Sequence, residues 1–90
     1  MDARRLVGQN VRKHRLAADL SQEQVAERMG VDRAYVSGLE LGGRNPTVIT
    51  LWMIAEALKV RISQLVDESG VTLSGVKTRK RASKKPKTRR

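Results

Sequence analysis

The chain has 90 residues, 19 Lys plus Arg against 9 Asp plus Glu for a net charge of +10, no cysteine and only 2% aromatic residues. A domain this small buries only about 60% of its unfolded surface, so its core must be slim. Without cysteine there is no disulfide, which suits a reducing compartment. MDARRLVGQN has no apolar run of signal-peptide length, and Val48 to Ala55 is too short to span a bilayer, which takes roughly 20 residues; the expectation is a soluble, cytoplasmic protein.

Arg4 to Ala18 reads as an opening helix, with Val7, Val11, His14 and Ala18 on one face. Asp19-Leu20 interrupts it before SQEQVAERMGVDRAYVSGLE, residues 21 to 40. Ser21 can cap a helix start, and Gln24 three residues on completes a reciprocal capping box. Val25, Ala26 and Met29 follow at helical spacing, and Gly30 stands where the helix must stop and turn with φ > 0. Asp32 is a second N-cap candidate, with Val36 and Leu39 at i+4 and i+7 and Gly42-Gly43 ending the helix. Two short helices joined by a Gly-containing turn are either an ordinary helical hairpin or a helix-turn-helix, whose second helix enters the major groove of DNA.

The loop LGGRNP follows, and Thr47 can cap a longer helix with Val48, Leu51, Ile54, Ala55 and Leu58 on its inward face. On the other side of that helix Ile49 and Met53 project, flanked by Trp52. Three large apolar groups outside the core mark either a homodimer patch or a surface covered by Val71, Leu73 and Val76 of the same chain. A last helical turn with Ile62, Leu65 and Val66 closes the domain near Glu68. The fold class expected is all-α, a compact bundle over residues 1–69 followed by a basic tail over 70–90.

Charge is divided unevenly between these two parts. Residues 1–69 carry ten basic and nine acidic side chains, a net of +1, whereas 70–90 carry nine basic ones and no acid. The nine are Lys77, Arg79, Lys80, Arg81, Lys84, Lys85, Lys87, Arg89 and Arg90, in low-complexity Lys/Arg/Ser/Thr/Pro sequence that cannot bury a core. Such a tail suits a polyanion, nucleic acid or an anionic membrane surface; a purely solubilising tail is the plain alternative. Catalysis finds little support. One histidine and no cysteine leave neither a metal site nor a nucleophilic triad, and no cofactor or small-molecule site is evident. His14 reads as a half-buried packing residue, and the Glu23/Glu27 pair as a solvated helix face.

The ordered run VRKHR, LSQEQVAERMGV, YVSGLE, RNPT and IAEAL resembles the lambda-repressor/Cro-type helix-turn-helix family across residues 5 to 67. The resemblance implies about five helices and binding to double-stranded DNA as a transcriptional regulator, a repressor in the first instance. It implies further that Gln22 contacts a phosphate and steadies the second helix of the pair, that Arg15 and Glu40 form a structural ion pair, and that Arg44 and Asn45 grip the DNA backbone. Three positions depart from the family's pattern: His14 replaces an apolar residue, Lys59 a helix-ending Gly, and Arg61 a Ser or Thr cap. An antitoxin or restriction-modification controller would share the fold. Readings of another class are a protein-interaction or coactivator module and a non-specific nucleic-acid binder led by the tail.

At 100° per residue, Asp32, Val36, Leu39 and Glu40 fall on the inward side of the recognition helix, and Ala34, Ser37, Gly38 and Leu41 on the outward side. Arg33 and Tyr35 flank that face. Arg33, near the end that approaches base edges, is the one side chain there able to hold guanine in a bidentate manner, while Ala34 offers a methyl contact. The expected base contacts are therefore Arg33, Ala34, Ser37 and Gly38, and the expected phosphate contacts Gln22, Tyr35, Arg44 and Asn45. Gly38 costs about 1 kcal/mol in a helix relative to Ala, and its presence reads as either close approach to DNA or tolerated drift. Base contacts would specify and phosphate contacts would position. The partners expected are DNA and a second copy of the chain, with no membrane, at the nucleoid.

Overall fold

The computed structural model describes residues 2–69, and the expectations placed on the tail and on Val71, Leu73 and Val76 lie outside them. Five helices follow one another: α1 Ala3–Ala17, α2 Gln22–Met29, α3 Arg33–Glu40, α4 Val48–Leu58 and α5 Ile62–Leu65. No strand occurs among the described residues.

The caps are mostly local and match the sequence. Ser21 Oγ accepts from the Gln24 N–H at 3.0 Å while Gln24 Oε1 accepts from the Ser21 N–H at 2.8 Å, so the capping box is complete. Gly30 takes φ 74° and ends α2, with the Val31 N–H reaching back to the Ala26 carbonyl at 2.9 Å. Thr47 Oγ1 accepts from the Thr50 N–H at 3.1 Å and starts α4. Lys59 ends α4 in the left-handed conformation, φ 60° and ψ 43°, the geometry that makes glycine common at such a position. At α5 the Gln64 side chain accepts from the Arg61 N–H at 2.9 Å, so the first turn is tied without a Ser or Thr.

One core serves all five helices. Val11, Val25, Val36, Leu39, Ile54 and Leu65 are its fully buried large side chains, one or two from each helix. Each such side chain contributes about 1.5–3 kcal/mol through burial. α2 and α3 pack together, α1 crosses α3, and α4 joins α2 to α5. The crossing of α1 over α3 is unusually close. A Cβ built on Gly8 would come within 2.4 Å of the Leu39 carbonyl oxygen and 2.9 Å of that of Glu40. Gly8 therefore lets α1 lie on the backbone of the recognition helix itself. Across the bundle, the buried Asn10 amide donates to the carbonyls of Leu65 (3.0 Å) and Asp67 (2.8 Å), tying α1 to the end of α5.

Four expectations need correction. Ala18 is exposed, because the helix stops at Ala17 and the chain turns through Asp19 at φ 59°. Asp32 occupies the N-cap position of α3, but its side chain makes no capping bond and is exposed instead of inward. Val48 is 71% exposed: it lies on the first turn of α4, which extends past the core that Ile54, Ala55 and Leu58 fill. Val66 follows the last turn of α5 and is exposed as well. His14 is half-buried, as its place on α1 suggested.

Candidate nucleic-acid interface

The site begins inside the protein, with an ion pair. Arg15 on α1 donates from Nε to Glu40 Oε2 at 2.6 Å and from Nη2 to Oε1 at 3.0 Å, and its Nη1 donates to the Leu20 carbonyl at 2.9 Å. The two side chains are only 11% and 4% exposed. This fork-to-fork geometry locks the end of α3 to α1 and to the turn before α2. The carboxylate also raises the Arg15 guanidinium above its ordinary range, chiefly through the hydrogen bonds it accepts.

From Glu40 the network runs outward. Gln22 Nε2 donates to Glu40 Oε1 at 3.1 Å, and Gln22 Oε1 accepts from Arg33 Nη1 at 3.1 Å. The first residue of α2 thus holds the first residue of α3 at the exposed end of the pair. One Gln22 amide hydrogen remains free for another acceptor. Arg33 Nε and Nη2 make no hydrogen bond among the described residues. A guanidinium held at one nitrogen and open along its Nε–Nη2 edge can still form a two-pronged contact.

The far end of α3 is built around a glycine. Gly38 leaves space that Arg44 fills: a Cβ there would meet Arg44 Nε at 3.1 Å and Cγ at 3.5 Å. Arg44 Cζ in turn lies 5.2 Å from the centroid of the Tyr35 ring, within cation–π range. The missing side chain at Gly38 thus leaves room for the Arg44 stem beside α3. Ala34 is exposed and Ser37 half-buried, and Asn45 is exposed in the loop beside Arg44. The expected residues therefore form two groups, Arg33 with Gln22 at the start of α3, and Tyr35, Gly38 and Arg44 farther along.

Ile49, Trp52 and Met53 on α4 are 71%, 56% and 37% exposed, and none belongs to the core. The sequence reading missed the direct Gln22–Arg33 bond and two scaffold residues, Gly8 and Asn10. Gly8 left one signal, a helix-disfavouring residue inside an otherwise good helical pattern; Asn10 left none. Among the described residues no group of three or more His, Cys, Asp or Glu could hold a metal ion, and no helix is long and apolar enough to cross a membrane.

With this geometry in view, residues 11–65 match the family described as helix-turn-helix. The chain belongs to the helix-turn-helix family. It is 46% identical over 77 residues to an HTH-type transcriptional regulator, y4dJ, of Sinorhizobium fredii, covering 86% of this chain and all of that one. It is 38% identical over 71 residues to the control protein C.SmaI of Serratia marcescens, covering 79% of this chain and 84% of that one. Among solved structures it resembles the restriction-modification controller protein C.AhdI from Aeromonas hydrophila. There the TM-score is 0.66 at 39% identity, with 69% of this chain and 94% of that one covered.

Proposed function

We propose that this helix-turn-helix chain is a transcriptional regulator that binds double-stranded DNA with α3 in the major groove and represses by occluding a promoter. The observation that carries the reading is the hydrogen-bonded series Arg15–Glu40–Gln22–Arg33, which presents an arginine with a free edge at the leading end of α3. On this reading Arg33 holds a guanine, Ala34 meets a thymine methyl, and Ser37 and Gly38 border the bases. Gln22, Tyr35, Arg44 and Asn45 take phosphates and set the register. The domain comprises residues 1–69, and the nine cations of 70–90 add a field that draws the nearly neutral body to DNA.

The test of base reading is Arg33→Ala, measured on a duplex selected by the full chain from a random pool and on a random duplex. Affinity for the selected duplex should fall by about 1–3 kcal/mol with relaxed preference at one base pair. An equal loss on both duplexes would make Arg33 a phosphate contact. For the tail, deleting residues 77–90 should flatten the slope of log K against log salt by about 4, at about 0.9 per phosphate if half the charges engage. An unchanged slope would leave the tail off the DNA.

A second copy of the chain is the partner that best suits Ile49, Trp52 and Met53, since a two-fold dimer would read two half-sites about one DNA turn apart. A monomer mass independent of concentration in sedimentation, with and without DNA, would remove that part. Similarity to C.SmaI and C.AhdI favours one more specific role, control of a restriction-modification system. Restriction and methyltransferase genes beside the coding sequence would support it.

A further inference from the structure

We infer that Arg5, at the start of α1, is a further phosphate contact, reaching DNA beside the Arg44–Asn45 loop. The inference rests on the reading of that loop as a backbone grip. It starts from Gly42, which follows α3 and opens the loop at φ 82°. A Cβ on Gly42 would meet Arg5 Cγ at 2.7 Å, Arg5 Cα at 3.2 Å and Arg5 Cβ at 3.5 Å. Gly42 is thus constrained twice, by its left-handed backbone and by the Arg5 backbone and stem lying on it. Such contact leaves little freedom in where Arg5 stands relative to the loop.

Arg5 and its neighbour differ in what they do with their charge. Arg4 is paired, with Nη2 2.8 Å from Asp2 Oδ2. Arg5 is exposed, and its guanidinium makes neither a salt bridge nor a hydrogen bond among the described residues. α1 thus sets an uncommitted cation against Gly42, at the base of the loop that carries Arg44 two residues on. A single strand of DNA presents one phosphate per 3.4 Å of helix axis, so two arginines beside one short loop can each meet a phosphate of the same strand. Within the protein alone, Arg5 could instead complement the C-terminal end of α3, whose last turn has no basic residue. The two roles separate by experiment, because the second affects folding and leaves counterion release unchanged.

The test uses the full chain, the selected duplex and a random duplex, with binding followed by fluorescence anisotropy across a salt series. Arg5→Gln keeps the stem on Gly42 and removes the charge, so folding should be preserved; urea unfolding checks this. Its slope of log K against log salt should flatten by about 0.9 on both duplexes, while Arg5→Lys should keep the wild-type slope. Arg4→Gln should leave the slope unchanged. An unchanged slope for Arg5→Gln where Arg44→Gln flattens it would overturn this inference alone. If neither variant alters the slope, the loop is no backbone grip and the inference falls with it.

Discussion

Removing the Glu40 carboxylate should cost this domain a large share of its stability. Three donors converge on that carboxylate: Arg15 Nε at 2.6 Å, Arg15 Nη2 at 3.0 Å and Gln22 Nε2 at 3.1 Å. In Glu40→Ala the Arg15 guanidinium, 11% exposed, keeps only the Leu20 carbonyl. Breaking a buried pair from one side costs about 3–5 kcal/mol, because the remaining charge stays desolvated and unpaired. A domain of this size is stable by roughly 4–10 kcal/mol in total. The single variant should therefore unfold at much lower urea. Arg15→Met should show a comparable loss, since Glu40, 4% exposed, then keeps only the Gln22 amide. The double variant Arg15→Met/Glu40→Leu should be nearly neutral, because neither charge is left to desolvate. The assay is urea unfolding followed by circular dichroism, analysed as a double-mutant cycle. Additive single effects, or a loss under about 1 kcal/mol in Glu40→Ala, would show that the pair is solvent-screened and not the anchor of α3.

Three further outcomes follow from the same structure. Gly8→Ala should destabilise by about 1–3 kcal/mol, as overpacking does, because its methyl meets the Leu39 carbonyl oxygen and α1 must lift off α3; unchanged urea unfolding would mean the crossing relaxes freely. Lys59→Gly should stabilise by up to about 1 kcal/mol by relieving the left-handed backbone at φ 60°, read as a higher thermal midpoint; a lower one would mean the lost side chain or the looser unfolded chain outweighs that relief. The Asp2 carboxyl is lowered to about 2, first by the Arg4 side-chain hydrogen bond and then by the Arg4 backbone N–H. A carboxyl depressed in the folded state contributes stability that is complete above its unfolded pKa of about 3.9 and lost as pH falls towards about 2. Asp2→Asn should make stability less dependent on pH across that window, and an unchanged pH profile would show that the contact does not persist in solution.

What the chain shows locally and what its folding adds divide by the range of the interaction. The Ser21–Gln24 box, Gly30 and the Thr47 cap were legible because each is decided within four residues of chain. The buried stripe of Val25, Ala26 and Met29 was legible because a helix places i, i+1 and i+4 on one side. The pair Arg15–Glu40 was legible only through resemblance to a family, since nothing in the spacing of residues 25 apart states that they meet. Periodicity assigns a side of a helix, but where the neighbouring helices end decides whether that side is covered. Hence Val48, two helical turns before Ala55 and in phase with it, is exposed.

By itself the sequence determined five helices, the caps at Ser21 and Thr47, the turn at Gly30, a basic tail and the arginine that starts the recognition helix, because these depend on local backbone preference, amphipathic period and charge. Tertiary structure alone decided that Gly8 lets α1 rest on α3, that Asn10 closes the end of α5, that Gln22 holds Arg33, and that Arg5 lies against Gly42 at the base of the loop bearing Arg44. Each is a contact between segments separated along the chain, at distances of a few ångströms. Such distances are fixed when all the helices share one core, and no local rule of the chain contains them.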